Sequence, residues 1–155
     1  MAVGQFLPYN PALFYLMKSG DGSINPDSTQ FDLHLFTSAS NASVQTLSVL
    51  SQLTNEVASG NGYKLSGKNL TTNWEPDSTS ADAMRFSAAN VVFSAASAAI
   101  ANIKWGVVVA HTSANATGTD VKNKLVARTR LSTVEFSINA GSTLTITLDP
   151  IFLLR

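Results

Sequence analysis

A chain of 155 residues is long enough for one domain with a real core and short for two. Ten basic and ten acidic residues cancel, and charged residues are only 13% of the chain, against roughly a quarter in a typical domain. That balance argues against a broad phosphate-backbone interface, which needs a strongly basic face, and the absence of cysteine removes disulfides and thiolate metal centres.

Residues 1–11 mix Gly4, Pro8, Asn10 and Pro11 with single apolar residues and read as an extended N-terminal arm. Phe6, Leu7 and Tyr9 would be costly in water, so the arm is expected to lie on its own domain or on a neighbour. Residues 1–4 carry no basic start, and residues 13–17 are too short an apolar run for a signal or a membrane span. A soluble chain made in the cytoplasm, with no membrane partner, is the expectation. Residues 12–18 fit one strand or two helical turns. Asp21-Gly22-Ser23 and Asn25-Pro26-Asp27 are turn signals.

Residues 31–37 alternate, with Phe31, Leu33 and Leu35 on one face and Asp32 and His34 on the other, the pattern of a half-buried strand. Between residues 44 and 57, Leu47, Leu50, Leu53 and Val57 recur at helical spacing, enough for a turn or two of helix. A tight turn at Gly60-Asn61-Gly62 leads into a strand pair or one long strand from 63 to 74, interrupted near Gly67. Residues 83–86 and 91–93 read as two short strand pieces. Residues 94–101 read as a loop feeding the strand that follows.

That strand, residues 103–111, is continuous β-branched and aromatic sequence, closed by Thr112, Ser113 and Asn115. Branched side chains pack well on a pleated surface and crowd a helical turn. A run this short and apolar on both faces predicts a central strand buried on both sides. After a loop at 115–120 come strands at 122–131, 132–138 and 143–148. In the last, Thr143, Thr145 and Thr147 alternate with Leu144, Ile146 and Leu148. Asp149-Pro150 is expected to break it before the apolar strip 151–154. Seven to nine strands at this spacing predict an all-β, single-domain β-sandwich or jelly roll over residues 12–155, with at most one or two short helices.

Chemical motifs are weak. Gly62 to Lys68 matches part of a phosphate-binding loop, but Asn69 stands where a Ser or Thr should follow, and turns explain both glycines better. Asp21, Ser23, Asn25, Asp27 and Asp32 have calcium-loop spacing, yet Pro26 occupies the position that needs glycine. His34 and His111 lack nearby metal-ligand companions, and no G-x-S-x-G elbow supports a hydrolase. No enzyme activity, cofactor or metal is expected. Sequons at Asn41, Asn69 and Asn115 are expected by chance in a Ser/Thr-rich chain. Lys122, Lys124, Arg128 and Arg130 share strand parity. They make either a solvated face or a docking patch for an acidic neighbour. Nucleic acid is disfavoured because no aromatics interleave with them.

Leu53-Thr54-Asn55-Glu56-Val57 followed by Gly60-Asn61-Gly62-Tyr63, then Met84-Arg85-Phe86 with Ala89-Asn90-Val91, and the closing run from Ala140 to Ile146, occur in an order that resembles a family of small virion proteins of tailed bacteriophages. Tyr9-Asn10 and the Gly-Asp-rich loop before the 31–37 strand also fit that order. The resemblance implies a particle component. Few charges and small polar faces suit tiling against neighbours. The resulting expectation is a capsid decoration or cement protein, a homo-oligomer (a trimer) on the major capsid protein or other virion proteins. Its contacts would come from Phe6, Leu7, Tyr9, Lys122, Lys124, Arg128 and Arg130. The alternatives are a neck, tail or fibre-base component, and a carbohydrate-binding module using Trp74 or Trp105.

Overall fold

The computed structural model describes residues 4–17, 23–25, 29–80, 82–111 and 123–154. β1 spans Phe6–Pro8, helix α1 Asn10–Met17 and β2 Gln30–Phe36. β3 (Lys68–Leu70), β4 (Thr72–Pro76), β5 (Met84–Ser94), β6 (Ile100–Ile103), β7 (Trp105–His111), β8 (Lys124–Arg130), β9 (Phe136–Ile138) and β10 (Thr143–Leu154) follow. β1, β8, β7, β2 and β3 make a five-stranded antiparallel sheet in that order. β10, β5 and β4 make a second sheet of three, and β6 pairs with β9. The fold is all-β and single-domain, with the two larger sheets packed face to face.

β7 is the middle strand of the larger sheet, flanked by β8 and β2, and Val108 is 0% exposed. Its residues alternate between two cores, which is why the sequence is apolar from Trp105 to Ala110. Val108 and Ala110 join Phe31, Leu33 and Leu35 of β2 and meet Phe86, Phe93, Ile146, Leu148 and Ile151 of the facing sheet. Val107 and Val109 point the other way, into a smaller core with Tyr9, Ala12, Phe36, Ala42 and Leu125, roofed by Leu47, Leu50 and Leu53. The roof is mostly turns: of the helical spacing between 44 and 57 only a 3₁₀ turn at Leu50–Gln52 survives. A turn needs only that the leucines reach the sheet, and Asn41, bonded to Gln52 O and Thr54 N, fixes the loop without helical bonds.

Several expected elements change on folding. Residues 10–17 are helical. The chain crosses from the large sheet to the small one at Thr71, between β3 and β4, and before β3 residues 64–67 form a turn while Tyr63 makes only an isolated bridge to Gly60. Gly62 must be glycine there: its φ is +99°, and a Cβ would sit 2.1 Å from the carbonyl oxygen of Ser94. The pieces at 83–86 and 91–93 are one strand, β5, running through Ala88-Ala89-Asn90. The 103–111 run is interrupted at Lys104, where Ile103 closes β6 and Trp105 opens β7. Asp149-Pro150 does not end β10. The peptide bond is cis, the register against β5 shifts between Leu148 and Phe152, and the strand resumes. β10 is an edge strand, where a missing N–H breaks no ladder.

Candidate functional site

The expected arm is not free. Phe6, Leu7 and Pro8 pair with Thr129, Arg128 and Ala127 of β8, making β1 the edge of the large sheet. Phe6 and Tyr9 are buried and Leu7 is half-buried. The Tyr9 hydroxyl donates to Ala42 O at 2.9 Å, and burial drives its pKa far above the ordinary phenol value. The arm therefore lies on its own domain.

The basic residues do not form the single expected face. Lys122 lies outside the described residues. A bulge between Val108 and Val109 on one strand and Ala127 and Leu125 on the other inserts Val126 into β8 and breaks the two-residue parity. Lys124 then pairs with Ala110, whose face is the inner one, whereas Arg128 and Arg130 pair with Val107 and Trp105 on the outer one. Lys124 is buried, with Nζ 3.6 Å from the centroid of Tyr15. Arg128 is 3% exposed. It donates to Pro8 O at 3.3 Å and lies 4.9 Å from the Tyr9 ring centroid, and desolvation lowers its pKa. Arg130 is half-buried, and its Nε has no hydrogen-bond partner among the described residues. These cations brace β1, α1 and β8 and do not present a solvated patch.

A polar cluster that the sequence only half revealed sits on the outer face of β2. Asp32 and His34 share that face by strand alternation, as expected. His34 Nδ1 donates to Glu56 Oε1 at 2.9 Å, and the same oxygen accepts from the Tyr63 hydroxyl at 2.6 Å. The Tyr63 hydroxyl in turn accepts from Leu35 N at 3.0 Å. Burial first, then the bond to Glu56, push the Tyr63 pKa far above normal. Gly67 closes over the His34 ring, where a Cβ would lie 2.7 Å from it. Asp32 Oδ2 lies 2.5 Å from His111 Nε2, an ion-pair contact out of hydrogen-bond alignment. Glu56 and Tyr63 could not be paired from sequence, because their meeting depends on two loops folding onto one strand.

This arrangement ties the loop carrying Glu56 and Tyr63 to β2. Glu56 also lines a cavity of about 380 Å³ with Thr37, Asn61 and Ala99–Asn102 around it, whose remaining lining is backbone and small side chains. Among the described residues no three His, Asp or Glu side chains are grouped to hold a metal. Of the calcium-spaced residues, Asp21 and Asp27 lie outside the described residues, and Asp32 faces His111. Gly62 and Gly67, from the phosphate-loop match, both occupy positive-φ turns, and Lys68 Nζ contacts Val92 O.

The Asp32 carboxyl is held above the usual carboxylate range by burial, partly offset by the charges of His111 and His34 and by a bond from Asn69. A carboxyl that binds its proton more tightly folded than unfolded costs stability as pH rises. The loss begins near the unfolded value of about 4 and is complete above the raised folded value. Urea midpoints measured from pH 4 to 7 are expected to show that decline in the wild type and a shallower one in Asp32→Asn. Equal slopes would contradict it.

Trp74 and Trp105 are both half-buried. Trp74 packs on Phe86 and Phe152, and Trp105 on the smaller core. No helix among the described residues is long and apolar enough to cross a membrane. Comparison with family models, curated proteins and solved structures finds no match to this chain.

Proposed function

We propose that the chain is a non-enzymatic structural protein of a tailed-bacteriophage particle, a decoration or cement protein set on the outside of the head in many copies. The observation that carries this reading is the exterior of a well-filled sandwich. On the outer side of the small sheet, at the end formed by residues 90–94 and 143–147, Thr143, Thr145, Thr147, Asn90, Val92 and Ser94 are exposed, a field of small neutral groups, while the charges of that face, Arg85, Glu75 and Asp149, pair with one another at its other end. Such a surface packs against neighbours without desolvating charge, and repeated weak contacts on a lattice sum to firm attachment. The sequence resemblance points the same way. Its Asn-Glu and Gly-x-Gly-Tyr segments supply Glu56 and Tyr63, which bond to each other, so these residues have a structural reason to occur together.

In this reading the major capsid protein is the partner, and the virion is the location. The same chemistry fits a neck, tail or fibre-base component, and copy number separates the positions. Quantified gels of purified particles are expected to show hundreds of copies per particle. About a dozen or fewer would move the protein to the neck or tail, and its absence from particles would overturn the reading.

A further inference from the structure

The small sheet ends on one side in β10, the longest strand among the described residues, where it pairs only with β5. The backbone groups of residues 143–148 that face away from β5 make no hydrogen bond among the described residues. The other free edges of the two larger sheets are blunted in the usual ways. β1 has three residues and ends in Pro8, β3 has three residues, and β4 carries Glu75 and Pro76. Residues 143–148 carry neither charge nor proline.

A groove of about 260 Å³ runs beside this edge, between it and the rim of the large sheet, with Phe6, Leu131, Leu144 and Ile146 in its lining. Thr129 also lines it. That side chain is completely buried, and its Oγ1 has no hydrogen-bond partner. An open strand edge above an apolar socket that holds an unsatisfied hydroxyl is suited to one more extended strand. That strand's backbone would complete the ladder, and its alternate side chains would fill the socket.

We propose that this seat is taken by β10 of a second copy of the chain, paired antiparallel about a twofold axis near Thr145. The edge is complementary to itself. Antiparallel pairing about that point sets Thr143 against Thr147 and Leu144 against Ile146, so threonines meet threonines on the outer face and apolar residues meet on the inner one. It opposes no like charges and leaves the two Asp149 carboxylates at opposite ends. Exposed Val92, across from Thr145 in the register with β5, gains a wider neutral surface beside it. The two small sheets become one continuous sheet of six strands, and the contact is isologous, so it closes at two copies. It is a twofold contact, unlike the trimer that the sequence suggests, and it is independent of where the protein resides.

Sedimentation velocity of the full chain from micromolar to hundreds of micromolar tests this. The wild type is expected to pass reversibly from monomer to dimer. Thr145 is exposed, so Thr145→Lys and Thr145→Glu keep the monomer fold, checked by circular dichroism and melting temperature. Each alone sets like charges against each other at the axis and is expected to need at least about tenfold more protein to associate. An equimolar mixture of the two restores association, because lysine then faces glutamate, a result that only a self-paired edge gives. A wild type monomeric at every concentration, saturation at a trimer, or Thr145→Lys associating like the wild type would each overturn the pairing.

Discussion

Replacing Phe86 by alanine is expected to cost about 3–5 kcal/mol, the range seen when a buried aromatic is cut to a methyl group. Phe86 is 1% exposed and joins the two large sheets. Its ring centroid lies 5.0 Å from Phe31 across the interface, 5.2 Å from Phe152 and 5.9 Å from Trp74 on its own sheet. Removing the ring leaves three aromatics facing a void, and strands locked on both sides cannot close it. A loss of this size corresponds to a fall of roughly 10 °C in melting temperature for a domain of this length. Urea unfolding followed by tryptophan fluorescence measures it, since Trp74 sits beside the change. Phe14→Ala, at a side chain 63% exposed, is expected to stay within about 0.5 kcal/mol of the wild type. Equal effects at the two positions would contradict the packing described.

Deleting residues 1–10 is expected to destroy the fold or lower its melting temperature more than Phe86→Ala does. The deletion strips β1 from β8 and removes two buried aromatics, Phe6 and Tyr9. It also takes from Arg128 both the Pro8 carbonyl and the Tyr9 ring. A buried guanidinium left without partners is among the costliest defects a core can carry. Tyr9→Phe isolates one part of this, the bond to Ala42 O, and is expected to cost about 1 kcal/mol. Circular dichroism melts of the three proteins rank the effects. A truncated chain melting like the wild type would make residues 1–10 a detachable arm after all.

What could be read in the sequence is what depends on local periodicity. The alternation at Phe31, Leu33 and Leu35 and the unbroken run at Val107, Val108 and Val109 are properties of neighbours along the chain, and both strands lie where that pattern puts them. But β2 is not half-buried: Asp32 and His34 are covered too, because loops fold over the outer face of the sheet. Where the pattern is interrupted by geometry, sequence alone misleads. Lys124 and Arg128 are four residues apart and should share a face, but one extra residue at the bulge turns them to opposite sides. Pro150 looks like a terminator because in a central strand it would be one. On an edge, with a register shift beside it, the strand continues.

The candidate sites show the same division. Asp32 and His34 were visible as a polar face on an apolar strand. Their partners were not, because Glu56, Tyr63 and His111 are between 22 and 79 positions away from them, and only the closed fold chooses among such pairs. Tyr9 could be seen as too apolar for water but not assigned to its own domain, since burial against Ala42 and burial against a neighbour leave the same trace in a sequence. The groove beside β10 had no sequence signal beyond the uncharged run 143–148, because an edge becomes free only once the sheet order is known.

The most direct measurement of this architecture is amide hydrogen exchange along β7. If that strand is the shared middle layer of both cores, the protected amides of Val107, Val108, Val109 and Ala110 are expected to exchange only through global unfolding, slowest in the protein and with the free energy given by denaturant melts. Exchange of these four ahead of the amides of β4 or β6 would contradict a doubly buried central strand and the two-core sandwich built on it.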